Sequence, residues 1–179
     1  KERVFETAFL EYGSMESMTA PTGRKVYFLT DPIEDWPRDW ADYKKNYQAT
    51  FAAQLLYPMV ADYEVMPWPD RIYEGLYRTS ADSDEKAQIP RFYSTQMQVM
   101  INTLNDMPLS DNKVSGSQGI GILMSNSLMF QRFPTHQGYD DPQLSNFYGQ
   151  ALPLLKRGVP VKTVHIENVS FSKTLEEVK

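Results

Sequence analysis

A chain of 179 residues is long enough to bury a core of its own, and 41% hydrophobic with 23% charged residues is the balance of a globular protein. The formal net charge of -5 comes with no clustered cationic face, which argues against nucleic acid as a partner. Cysteine is absent, so disulfides, thiolate metal sites and cysteine nucleophiles are excluded, and no apolar run reaches the ~18 residues of a membrane span.

Taken in chain order, residues 2–18 set Val4, Phe5, Ala8, Phe9 and Tyr12 at helical spacing with Glu and Thr between them, which predicts an amphipathic helix. The turn Pro21-Thr22-Gly23 stops it. Residues 25–30 form a short, nearly continuous apolar run, as expected of a strand buried on both faces of a parallel sheet, and Asp31-Pro32 ends it. Residues 39–56 place Trp40, Tyr43, Tyr47, Phe51 and Leu55 on one stripe, with Asp39 as N-cap and Pro58 beyond the end. A strand at 63–66 is closed by Pro67-Trp68-Pro69 and followed by a short helix over 70–77. The polar composition of 78–88 predicts a surface loop. Pro90 then opens a helix whose inward face is Tyr93, Met97, Met100, Ile101 and Leu104.

The Gly- and Ser-containing stretch 107–118 is the expected linker, dividing the chain into a first domain at 1–106 and a second at 119–179. In the second, a strand at 119–124, a helix at 142–157 stopped by Gly158 and a strand at 159–166 make a βαβ unit. The inward face of that helix is Leu144, Phe147, Tyr148, Ala151, Leu154 and Leu155. Thr174 and Glu177 have capping-box spacing, so a further helix begins where the sequence stops. That unfinished helix, together with a start at Lys1 without a signal-like stretch, leads to the expectation of an internal fragment of a larger protein.

The order of helix, strand ending in Asp31-Pro32-Ile33-Glu34-Asp35, long helix, and strand ending in Met66-Pro67-Trp68-Pro69 resembles the last βα units of a TIM-barrel glycoside hydrolase. The segments Gly119-Ile120-Gly121-Ile122-Leu123-Met124 and Asn146 to Val161, the latter containing Arg157-Gly158-Val159-Pro160-Val161, resemble the opening of a glutamine-amidotransferase-like domain. That domain follows the barrel in family-42-type β-galactosidases, and the combination is similar to uncharacterised Bacteroides-like hydrolases. The resemblance spans roughly residues 1–168. It implies an α/β chain: the C-terminal units of a (β/α) barrel, then the start of a doubly wound, flavodoxin- or amidotransferase-like domain. It also implies a carbohydrate substrate, a periplasmic or extracellular location, and oligomerisation through the second domain. No catalytic signature of the family is matched residue by residue, and the general acid of such barrels lies on an earlier strand, so activity is expected of the full-length protein and not of this portion.

Ligands of such barrels meet the C-terminal ends of the strands. Glycoside cleavage needs two carboxyl groups about 5–10 Å apart. The resemblance places a nucleophile on the penultimate strand, which favours Asp31 or Glu34 as catalytic, with Asp35, Trp36, Trp68 and Asp70 as substrate-binding residues. Trp68, stiffened by flanking prolines, is a suitable platform for a pyranose. In the competing reading Asp31 shapes the turn before Pro32, Glu34 and Asp35 are solvated or pair with Arg38, and Trp68 packs in the core against Trp40 and Tyr43.

His165 alternates with Val164 and Ile166 on a strand and is assigned a core or edge role, and His136, near Asp140 and Asp141, lacks a defined ligand spacing, so no metal site is expected. Ser125-Asn126-Ser127 lies outside any Gly-x-Ser-x-Gly elbow and is read as non-catalytic, and Gly119-x-Gly121 lacks the third glycine of a dinucleotide fingerprint. No cofactor is expected. The leading function is paired-carboxylate hydrolysis of a carbohydrate. The alternative is a non-catalytic carbohydrate-binding or oligomerisation protein derived from such a hydrolase.

Overall fold

The computed structural model describes residues 4–30, 39–65, 70, 73–109, 119–125, 142–170 and 176. It is a mixed helix and strand structure of the α/β class, and its strands form three two-stranded pairs. No ring of strands closes among the described residues. The chain divides into two compact units, Lys1–Phe9 with Tyr27–Lys113, and Leu10–Val26 with Val114–Lys179. Helix α1, Val4–Thr19, contributes residues to both. It runs into a 3-10 turn at Ala20–Thr22 that Gly23 closes in the left-handed region, where a residue without Cβ is least strained.

In the first unit, β1 (Tyr27–Thr30) and β2 (Asp62–Val65) are parallel, with α2 (Trp40–Gln54) in the crossover between them. Asp39 caps α2 as expected, its carboxylate accepting from the Asp42 amide at 2.8 Å. The register sets Phe28 beside Tyr63 on one face, and Tyr27 and Leu29 beside Asp62 and Glu64 on the other. Only the first face is covered. Phe28 is buried against the edges of Tyr57 and Tyr63, and Tyr57 in turn meets Phe9 of α1 and donates its hydroxyl to the Phe9 carbonyl. Tyr27 and Leu29 remain 62% and 56% exposed, which corrects the expectation that β1 is buried on both faces.

The larger core of this unit lies between α2 and α3 (Arg91–Asp106). Tyr43 and Tyr47 of α2 pack with Ile89 and with Tyr93, Met97 and Met100 of α3, flanked by Trp40, Phe51 and Tyr77. Each such side chain contributes about 1.5–3 kcal/mol of burial free energy. The inward face predicted for α3 is observed at Tyr93, Met97, Met100 and Leu104, with Ile101 half-buried.

Between the two helices stands an antiparallel hairpin, β3 (Leu76–Arg78) with β4 (Lys86–Gln88). The sequence predicts a short helix over 70–77 and a loop over 78–88; Asp70 and Tyr73 are helical, but Leu76–Arg78 and Lys86–Gln88 are strands, which corrects the end of the helix and the loop. The hairpin is held at its tip by the Thr79 amide on the Glu85 carbonyl and by the Arg78–Asp84 pair at 2.7 Å. Tyr77 then lies edge-on to Tyr43, so the strand supplies a core aromatic.

In the second unit, β5 (Ile120–Met124) and β6 (Val161–His165) are parallel, joined through α4 (Pro142–Leu155), as the sequence predicts for this βαβ unit. Gly158 ends the α4 turn with φ 71°. Gly119 has φ 87°, and a Cβ there would lie 2.6 Å from the Pro160 Cβ and closer still to the Pro160 carbonyl. This glycine is thus required by the approach of the strand leading into β6, where the Ile120 amide donates to the Pro160 carbonyl at 2.9 Å. The inferred linker from residue 110 and the helix begun at Thr174 lie outside the described residues, apart from Glu176. No helix among the described residues is long and apolar enough to cross a membrane.

Candidate functional site

Two places bear on function, one in each unit: a strand edge and a buried cluster of side chains. The first is the C-terminal edge of the β1–β2 pair. Thr30 is in register with Val65, so the two strands end side by side, and parallel neighbours are ~4.8 Å apart. Residue 31 follows the one and residue 66 follows the other. Asp31, Glu34, Asp35 and Trp36, and likewise Trp68, lie outside the described residues. Asp70 is described and exposed, and its backbone carbonyl accepts from the amides of Glu74 and Gly75 at 2.8 and 3.1 Å, forming a turn that leads into β3. Trp40 is half-buried on the α2–α3 core and lies edge-on to Phe92, with the Lys44 ammonium 4.9 Å from the Phe92 ring.

The second place is buried in the second unit, and sequence reasoning did not find it. The side chains of Ser14 on α1, Met124 at the end of β5 and His165 at the end of β6 meet there, each 2% exposed or less. The Ser14 hydroxyl lies 3.2 Å from the Met124 sulfur and 3.1 Å from His165 Nε2. His165 Nδ1 is buried with no hydrogen-bond partner among the described residues. Two more ties hold α1 to β6 and its following 3-10 turn, Ile166–Asn168. Lys162 meets Glu16 at 3.0 Å, and the Asn168 amide donates to the Ser17 and Met18 carbonyls at 3.2 and 2.8 Å, satisfying the end of the helix.

Electrostatically, burial holds the His165 imidazole below its ordinary pKa, against the smaller upward pulls of Glu167 and of a hydrogen bond with the Ser14 backbone. The tautomer follows from satisfaction. With the Ser14 hydroxyl donating to Met124, Nε2–H donates to Ser14 and the bare Nδ1 is an acceptor, which is less expensive to leave unpaired than a buried N–H. The chain N–H to O–H to sulfur terminates in a thioether. Among the described residues no further group orients His165, and the cluster is too buried to meet a substrate, so it is read as a structural cluster and not as a nucleophile pair.

Of the remaining sequence candidates, Ser125 is half-buried just past β5, while Asn126, Ser127, His136, Asp140 and Asp141 lie outside the described residues. Among the described residues no group of three or more His, Asp or Glu side chains is placed to hold a metal ion. No family model, curated protein or solved structure matches this chain.

Proposed function

We propose that this chain is part of a carbohydrate-cleaving α/β hydrolase, with its reactive carboxylates in the segment that follows β1. The carrying observation is the β1–β2 register, which ends the strands before Asp31 and before Met66 at one edge. The covering of the pair supports the same reading. Tyr57, just past the end of α2 and itself backed by Phe9 of α1, covers its Phe28 face, while Tyr27, Leu29 and Glu64 lie open on the other. A (β/α) barrel covers its strands with helices on the outside only and gathers its chemistry at their C-terminal ends. A doubly wound sheet carries helices on both faces.

In this reading Asp31 or Glu34 is the nucleophile or base, and Trp68 stacks on the apolar face of the sugar, with Asp35, Trp36 and Asp70 completing the contacts. The general acid comes from a strand outside this chain. Asp31→Asn and Glu34→Gln, made separately in the full-length protein, are expected to divide the labour: one lowers aryl-glycoside hydrolysis by roughly 10²–10⁴-fold. Unchanged rates in both variants would remove the assignment. Trp68→Ala is expected to raise KM more than it lowers kcat, because a stacking platform binds ground state and transition state alike.

A further inference from the structure

The buried cluster at His165 has a property that the proposed activity does not use. Three side-chain ties fasten the second half of α1 to one short stretch of chain, and His165 sits in their midst: Lys162 lies three residues before it and Asn168 three after. Of the three ties, the one at His165 is the most deeply buried, at 1% exposure for the imidazole and 2% for Ser14. It also has no spare capacity. Protonation adds an N–H at Nδ1, which meets no acceptor among the described residues, and places a cation against the Ser14 hydroxyl, with the Met124 thioether beyond it, where the Ser14 backbone favours the charge less than burial opposes it.

We propose that His165 is an acid-operated latch: a proton taken up from solvent by this imidazole releases Leu10–Thr19 and the turn at Ile166–Asn168 from the β5–β6 pair. The charged groups among the described residues do not compensate. On Leu10–Thr19, the part of α1 in this unit, the acids are Glu11, which accepts from the Tyr148 hydroxyl of α4 at 3.4 Å, and Glu16, which is engaged by Lys162. β5 carries no ionisable residue, and Lys162 is the other ionisable group of β6. Glu167, on the turn that follows, is exposed to solvent, and its attraction for a His165 cation is smaller than the opposing effect of burial. Linkage fixes the direction. A histidine whose folded pKa is depressed stabilises the fold fully above its unfolded pKa of about 6.5, and this stability drains away as the pH falls below it towards the folded value.

Hydrogen exchange at about pH 7.5 and about pH 5, corrected for intrinsic rates, tests the latch. In the wild-type chain, protection at residues 10–19 and 161–168 is expected to fall severalfold, up to the ceiling of about thirtyfold that an unfolded imidazole pKa of about 6.5 sets at pH 5, with residues 91–106 as the internal reference. His165→Gln keeps a neutral N–H donor for Ser14 and cannot take up the proton, so its protection is expected to be the same at both pH values. A wild-type chain indifferent to pH in these segments, or an equal loss in His165→Gln, would overturn the proposal. A ring-proton NMR titration of the wild-type chain makes the test independent of how well the variant folds, because the sequence has two histidines and His136→Asn assigns them. His165 is expected to titrate below the ordinary value of about 6.5, and titration at or above that value overturns the latch.

Discussion

Gly119 and Pro160 touch so closely that there is no room at position 119 for even one carbon beyond the backbone. The contact fixes where β5 begins beside β6, since the next amide, that of Ile120, is the one that bonds to Pro160. The same residue was set aside in the sequence as an incomplete dinucleotide signal, and the structure supplies the mechanical reason for its identity.

Gly119→Ala is therefore expected to destabilise the protein by about 3 kcal/mol, combining the left-handed backbone with a collision against main-chain atoms. Gly23→Ala is the control. Gly23 has φ 68° but nothing within 4 Å of an added Cβ, so it carries the backbone penalty alone, about 1 kcal/mol. Urea unfolding of both variants gives the comparison, and equal losses at the two sites would show that the Pro160 contact relaxes freely.

The cap on α2 predicts a second, smaller effect. Asp39→Ala leaves the Asp42 amide without its side-chain acceptor and is expected to cost about 1 kcal/mol, whereas Asp39→Asn keeps an acceptor oxygen and is expected to lose much less. Helix α2 carries Trp40, Tyr43 and Tyr47 into the first unit's core, so the loss is expected in the main unfolding transition and not as local fraying.

What the sequence revealed and what it concealed follow from the range of the interactions. Tyr93, Met97, Met100 and Leu104 repeat at helical spacing, and such a stripe is legible because one element alone determines it. The β5–α4–β6 unit is legible for the same reason, its helix being stopped by Gly158. The hairpin was missed because its strands are three residues each and Leu76-Tyr77-Arg78 opposite Gln88-Ala87-Lys86 has no alternation to detect. The apolar run at β1 suggested burial on both faces, but its partner strand presents Asp62 and Glu64, and which residues those would face is decided only by the register. Ser14 and His165 are 151 positions apart, and nothing local to either announces the other. Within α1, Glu16 is 8% exposed and meets Lys162 of β6, a partner nearly as distant in sequence as that of Ser14 and as little announced.

A third prediction concerns the Tyr93 hydroxyl, which is buried with no hydrogen-bond partner among the described residues. Burial, reinforced by the neighbouring Tyr47, pushes this phenol far above its ordinary pKa, so it is neutral throughout the working range. Tyr93→Phe removes an unmet polar group and keeps the ring that packs with Tyr43 and Met97. It is expected to leave stability unchanged or to raise it by about 1 kcal/mol. A thermal midpoint lowered by several degrees would show that the hydroxyl has a partner of its own.

The pairing of Lys162 with Glu16 yields the last prediction, and here removing one partner is not the same as removing both. Their side chains are 19% and 10% exposed, so each charge has given up much of its water to reach the other at 3.0 Å. Lys162→Met leaves the Glu16 carboxylate largely enclosed without its cation and is expected to cost about 2–3 kcal/mol. Adding Glu16→Gln to that variant removes the stranded charge and is expected to restore about half of the loss or more, since a neutral pair of similar volume often replaces an enclosed ion pair at little cost. The coupling also has a salt signature: a pair this enclosed is expected to keep its coupling energy between low and moderate ionic strength, while an exposed pair such as Arg78–Asp84, whose acid is 92% exposed, is expected to lose its own. A double-mutant cycle in urea at two salt concentrations measures both quantities, and strictly additive single effects would show that α1 is held to β6 at this point by packing alone.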